Sequence, residues 1–210
     1  MEKIYNVNEP IVVTSPIQEL YFYTAYIGIH DDITIERGDS AWLVNKEGVR
    51  TVRGPNTIDS TDLCVVIRGY ASDSKSSGYE TLSNLPYVNG CTSNQLISPL
   101  RIGDPTAQLL FLPKFTQEQA HHIHSTSRVV YVLSGKGKSI QGMPDKNGGK
   151  GSIVEIDLEP GKVIILDKNI PHHFETEDNE LVVIPIHIFS STPLEYNHPM
   201  FNGTFKVDNV

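Results

Sequence analysis

The chain has 210 residues, of which 39% are hydrophobic and 20% charged, and its formal net charge is −8. This composition supports a packed core in one large or two small domains and excludes a globally disordered chain. The acidic balance argues against non-specific nucleic-acid binding, which needs a basic surface.

Strand signals dominate the first hundred residues. Aromatic and β-branched side chains are concentrated in residues 19–30, 40–44 and 62–70, and turn-forming residues separate these runs. A stretch rich in Ser and Gly follows at residues 71–90 and predicts a long loop. We therefore expect an N-terminal β-rich extension over residues 1–100.

Short apolar runs continue from Ala107 to Phe189, separated by turn signals such as the Gly-rich segment 143–151. Few windows keep a helical period over three turns. Many short strands at regular spacing predict an all-β sandwich or barrel.

Neither a targeting segment nor a disulfide framework is indicated. The N-terminus lacks a basic-then-apolar pattern, and no apolar run approaches the ~20 residues that span a bilayer. Cys64 and Cys91 are the two cysteines, and we expect both to be free thiols. These features predict a cytoplasmic protein with no membrane partner.

Three histidines occur within four positions at residues 121–124. In an extended chain, residues i and i+2 face the same side. His122 and His124 would therefore point together, with His121 on the opposite face. Two imidazoles at this spacing can share one metal ion.

A second histidine cluster lies about fifty residues further on, where Pro171 precedes His172 and His173. Alternation lets only one of these histidines face the interior. If His172 points inward, then Phe174 points inward beside it and His173 points outward.

Both stretches resemble the two motifs of the cupin superfamily. In the first motif, His122 and His124 stand at the two histidine positions and Gly135 at the final glycine, whereas Thr116 replaces the first glycine. Arg128 occupies the position where the family has a glutamate ligand.

The second motif is matched less completely. Gly161 and His172 keep their spacing, but Asp167, Asn169 and Thr176 replace the usual Pro, Gly and Asn. The resemblance covers roughly residues 107–190 and implies that His122, His124 and His172 are metal ligands.

For the fold, the resemblance implies a mainly β protein with a cupin double-stranded β-helix, or jelly-roll barrel. We expect the cupin barrel at residues 101–200 and a C-terminal tail at residues 201–210. Whether residues 1–100 form a degenerate second cupin half stays open here. Edge strands in this family often pair between subunits, which favours a homodimer.

Arg128 changes the chemistry expected of the site, because a guanidinium carries no lone pair for a metal. In one hypothesis, three neutral histidines hold the metal and Arg128 attracts an anionic substrate. In the other, the cation repels metal, and the histidines bind a small anion or perform acid–base chemistry.

The resemblance favours a three-histidine Fe(II) dioxygenase-type oxidoreductase that acts on a small anionic organic molecule, with Arg128 as its catalytic and substrate-binding residue. Mn, Ni, Cu and Zn are the alternative metals. A non-oxidative metal-dependent lyase or isomerase and a non-catalytic small-molecule-binding cupin are the alternative functions, since one fold hosts many reactions.

Overall fold

The computed structural model describes residues 3–16, 22–79, 85–101, 103–143 and 151–189. Strands and their turns account for nearly all of this structure. The predicted C-terminal tail, 201–210, and most of the Gly-rich segment 143–151 lie outside the described residues.

The strands are numbered in chain order. The first nine are β1 (Ile4–Asn6), β2 (Ile11–Thr14), β3 (Tyr23–Ile27), β4 (His30–Ile35), β5 (Ser40–Val44), β6 (Gly48–Arg53), β7 (Asn56–Ser60), β8 (Leu63–Ile67) and β9 (Ser76–Gly78). The next nine are β10 (Leu85–Pro86), β11 (Thr92–Ile97), β12 (Thr106–Leu112), β13 (Arg128–Gly135), β14 (Gly137–Gln141), β15 (Val154–Leu158), β16 (Lys162–Leu166), β17 (His172–Glu175) and β18 (Leu181–His187). A 3-10 turn covers Val88–Gly90.

The strands form two units, each with one large and one small antiparallel sheet. In the N-terminal unit, the large sheet has the order β2-β3-β8-β5-β6-β9 and the small sheet pairs β4 with β7. In the C-terminal unit, the large sheet has the order β1-β16-β13-β18-β12-β11-β10 and the small sheet has the order β15-β14-β17. Strands β1, β10 and β11 thus join the sheet of the C-terminal unit although they precede residue 101.

Three apolar cores follow from this layering. The inner core of the C-terminal unit lies between its two sheets and includes Val130, Ile164 and Phe174. A smaller core fills the N-terminal unit. The third and largest core joins the two large sheets, so each large sheet is covered on both faces.

Strand β13 shows how alternation serves both cores. Val130 and Val132 face the inner core of the C-terminal unit, whereas Val129 and Tyr131 face the N-terminal unit. Tyr131 is 1% exposed and its hydroxyl donates to Asp62 Oδ2 at 2.9 Å. Arg128 begins this strand on the same face as Val130, which directs it inward.

The predicted fold class, mainly β, is confirmed. Cys64 and Cys91 are both buried free thiols, as expected. Within the described residues, no helix has the length and hydropathy required to cross a membrane.

Candidate metal centre

The two histidine segments lie side by side at one end of the inner core. His122 and His172 form an isolated antiparallel bridge, in which each backbone N–H donates to the other's carbonyl oxygen, at 3.1 and 2.8 Å. The Asn169 N–H donates to the His124 carbonyl at 2.7 Å. Residues 123–127 are not in a strand and form no continuous ladder. These few backbone hydrogen bonds therefore fix the position of the segment.

Three imidazoles converge at this bridge. His122, His124 and His172 are 1%, 7% and 2% exposed, so all three are shielded from bulk water. Their ring centroids lie 4.6 to 5.1 Å apart. One nitrogen of each ring lies within 4.8 Å of the others. These three side chains therefore come together, as the resemblance to the cupin motifs implied.

The neighbouring histidines lie on the opposite face, as alternation predicted. His121 Nδ1 is 2.8 Å from His173 Nδ1, and His121 Nε2–H donates to the Gly142 carbonyl at 2.6 Å. This outer pair forms a second cross-strand link behind the inner cluster.

Hydrogen bonds and burial prepare the inner rings to donate lone pairs. His172 Nδ1–H donates to the Ile170 carbonyl at 2.7 Å, and His122 Nδ1–H donates to the Ala120 carbonyl at 3.1 Å. Burial lowers the pKa of His122 to about 2 and that of His172 to about 4, and it holds the pKa of His124 well below its usual range. The three rings are therefore neutral at neutral pH, which is the form that binds metals.

The donor set fits a divalent metal ion. Metal–nitrogen bonds of about 2.1 Å place the nitrogens of one ion within about 4 Å of each other. The cluster, with its ligand atoms within 4.8 Å, needs only a small adjustment to reach that spacing. Three neutral nitrogens suit Fe, Ni, Cu and Zn and leave coordination positions open.

Arg128 lines the same cavity and is 3% exposed. Its Nη1 donates to the carbonyls of Thr126 and Ser127 at 3.1 and 3.2 Å, while Nε has no partner. No carboxylate of the described residues forms an ion pair with it. Burial lowers the pKa of Arg128 to about 9, so the guanidinium stays protonated at neutral pH.

Two cavity residues were not predicted from the sequence. Glu118 is 5% exposed, and burial raises its pKa to about 7. His187 also lines the cavity, opposite Arg128 in the pairing of β13 with β18, and its ring centroid is 6.4 Å from that of His124. Strand alternation in β18 was the signal that could have identified His187. Glu118 lies four residues before His122. Residues an even number apart in an extended segment face the same side, and this spacing could have identified Glu118.

Gln119 connects His122 to the cavity wall. Its amide nitrogen lies 2.8 Å from His122 Nδ1 and 2.6 Å from Nε2, and its Oε1 accepts from the Tyr87 hydroxyl at 3.2 Å. Gln108 also lines the cavity.

The cupin domain family model matches residues 109–189, which contain the three histidines and Arg128. This segment of the chain is therefore similar to the cupin domain. The resemblance seen in the two histidine motifs is therefore confirmed.

One curated relative matches part of the chain. Acireductone dioxygenase from Bacillus cytotoxicus is 36% identical over 76 residues, which are 36% of this chain and 40% of the relative. The match thus spans only about two fifths of the relative's length.

Solved cupin structures match most of the chain. A cupin 2 conserved barrel domain protein from Leptotrichia buccalis has a TM-score of 0.50 at 15% identity, covering 88% of this chain and 95% of that one. Salicylate 1,2-dioxygenase from Pseudoaminobacter salicylatoxidans, in complex with gentisate, has a TM-score of 0.55 at 10% identity, covering 89% and 82%. At these identities the likeness shows the jelly-roll fold.

Proposed function

We propose that this protein is a metal-dependent oxygenase in which His122, His124 and His172 hold one divalent metal ion, with Fe(II) favoured. The observation that carries the proposal is the buried, neutral three-nitrogen cluster within the cupin domain. The partial match to a dioxygenase, at 36% identity over 76 residues, supports oxygen chemistry. When bound, such a metal supplies Lewis acidity and one-electron chemistry with oxygen.

The proposed substrate is a small organic anion. Three neutral ligands leave the metal's charge uncompensated, and Arg128 adds a second cation to the cavity wall. The cavity has a volume of about 50 Å³, below the roughly 300 Å³ at which pockets for drug-sized ligands begin. In this proposal, Arg128 Nε, which has no protein partner, hydrogen-bonds the substrate's negative group.

We further propose that the N-terminal unit is a degenerate second cupin half. Its large sheet contains the order β3-β8-β5-β6, and that of the C-terminal unit contains β12-β18-β13-β16. In each set of four, the strand that comes first in the chain lies beside the one that comes last. The second strand in the chain lies next in the sheet, and the third lies after it. The structural match over 88% of the chain also extends beyond residues 109–189.

Metal analysis tests the proposed centre directly. Protein purified without a histidine tag should contain about one equivalent of metal, and the element found decides between Fe and Mn, Ni, Cu or Zn. Absence of metal, combined with failure to take up any of these ions on reconstitution, would contradict the proposal.

An oxygen electrode tests the reaction class. The metal-loaded protein should consume oxygen when it turns over a small carboxylate or enol-forming substrate. Product formation without oxygen consumption would instead indicate a metal-dependent lyase or isomerase. A homodimer and a cytoplasmic location stay predictions, which mass measurement in solution and localisation in cells would check.

A further inference from the structure

Glu118 is a deeply buried acid with no assigned task. It lies four residues before His122, and its backbone N–H donates to the Phe174 carbonyl at 2.9 Å, which places it beside β17. Its side chain lines the histidine cavity and is 5% exposed. Its carboxyl group accepts a hydrogen bond from the Phe174 backbone, and none of the ion pairs among the described residues involves it.

A buried carboxyl group in such a position is energetically unfavourable unless it is compensated. Burial of a carboxylate without a cationic partner costs several kcal/mol, so buried acids are normally paired, bound to metal or protonated. Among the described residues, the cluster that can hold a metal contains His122, His124 and His172 and excludes Glu118. Glu118 therefore lines the cavity without belonging to the ligand set.

The other polar groups of the cavity are poor proton acceptors. Arg128 is a cation with no lone pair. His187 is held neutral because burial, with the nearby Arg128, keeps its pKa well below the usual range. Burial and the nearby Glu118 raise the pKa of the Tyr87 hydroxyl, which stays protonated. The lone pairs of the three clustered histidines would be taken by the proposed metal. Glu118 is the group left to exchange a proton with a bound molecule.

We infer, on the basis of the proposed metal centre, that Glu118 is the catalytic acid–base residue that takes up the proton a chelating substrate loses on binding. The substrate's O–H bond breaks, its oxygen keeps the electron pair for the metal, and the proton forms an O–H bond on the Glu118 carboxylate. The proton returns to the product when it leaves. A pKa of about 7 suits a group that must both accept and release a proton near neutral pH.

Proton counting by calorimetry tests this role without turnover. The metal-loaded protein is titrated with acetohydroxamate under argon at pH 8, in two buffers that differ in ionisation enthalpy. The free probe is protonated and loses its proton when it chelates a metal. In the wild type, the negative charge of the bound probe should raise the pKa of Glu118 above the pH of the titration, so Glu118 should retain that proton and close to zero protons should reach the buffer. In Glu118→Gln, about one proton per bound probe should be released.

Two controls separate this role from a structural one. Glu180→Gln, at an exposed position before β18, should release as few protons as the wild type. Metal content and melting temperature should be unchanged in Glu118→Gln. Equal proton release by wild type and Glu118→Gln would overturn the inference, as would loss of metal from the variant, which would make Glu118 a ligand. Wild-type protein that neither contains nor takes up metal would overturn the proposed function itself.

Discussion

The two units share a strand order but differ in what their inner faces carry. In the N-terminal unit, β5 and β6 are joined by residues 45–47 alone, whereas residues 136–161 separate β13 from β16 and include the β14–β15 hairpin. The inner core of the N-terminal unit is apolar, with Ile33, Leu43 and Val66. In the C-terminal unit, the corresponding space contains histidines and an arginine at one end. A common framework therefore does not imply a common site, because the chemistry lies in the inward-facing side chains.

Removal of one ligand from the C-terminal unit should have the largest effect. His122→Ala leaves two nitrogens, too few to retain the ion, so metal content should fall from about one equivalent to nearly none. Elemental analysis of the purified variant measures this. His30→Ala, at the start of β4 in the N-terminal unit, is the matched control and should keep its metal. Equal losses in both variants would mean that the cluster is not the metal site.

Alanine substitutions at two glycines with positive φ, one in each unit, should lower the free energy of unfolding by different amounts. Gly135 has φ +81°, and a Cβ there would overlap the Glu180 carbonyl oxygen, so Gly135→Ala should cost more than about 3 kcal/mol of unfolding free energy. Gly38 in the N-terminal unit has φ +96°, but a Cβ there would have no neighbouring atom within 4 Å. Gly38→Ala should therefore cost only about 1–2 kcal/mol of unfolding free energy. Urea denaturation measures both, and similar costs would contradict the tight packing at Gly135.

Replacement of the buried cation should weaken anion binding but not metal binding. Arg128→Gln removes a charge-assisted hydrogen bond in a buried cavity, so the dissociation constant for formate should rise about 10- to 100-fold. Calorimetry on metal-loaded protein measures this, with Arg50→Gln, at an exposed position on β6, as the control. If metal content fell in parallel with formate affinity, the assigned role of Arg128 would be wrong.

The smallest expected effect on stability comes from removing a hydrogen bond between the two units. Tyr131→Phe removes the hydrogen bond to Asp62 and should lower the unfolding free energy by about 1–2 kcal/mol. Tyr26→Phe, within the N-terminal unit, should change it by less. Two separate denaturation transitions, with only one shifted in Tyr131→Phe, would show that the units unfold independently.

The sequence predicted the all-β class and the shared face of His122 and His124, because strand alternation is a local pattern, whereas the convergence of His172 with them was implied by the resemblance to the cupin motifs. Glu118 was missed because its importance depends on which strand lies beside it, and pairing between distant segments is not written in local periodicity. The same limit applies to β11, which joins the sheet of the C-terminal unit from a segment before residue 101.

The core between the two large sheets bears on any attempt to divide the chain. Val129, Val163, Ile165 and Ile186 are 0–2% exposed only because the N-terminal unit covers them. A fragment limited to residues 109–189 would present this apolar sheet face to water and would aggregate or pair with another copy. The N-terminal unit thus covers the apolar outer face of the large C-terminal sheet, and a fragment that keeps this face covered must include it.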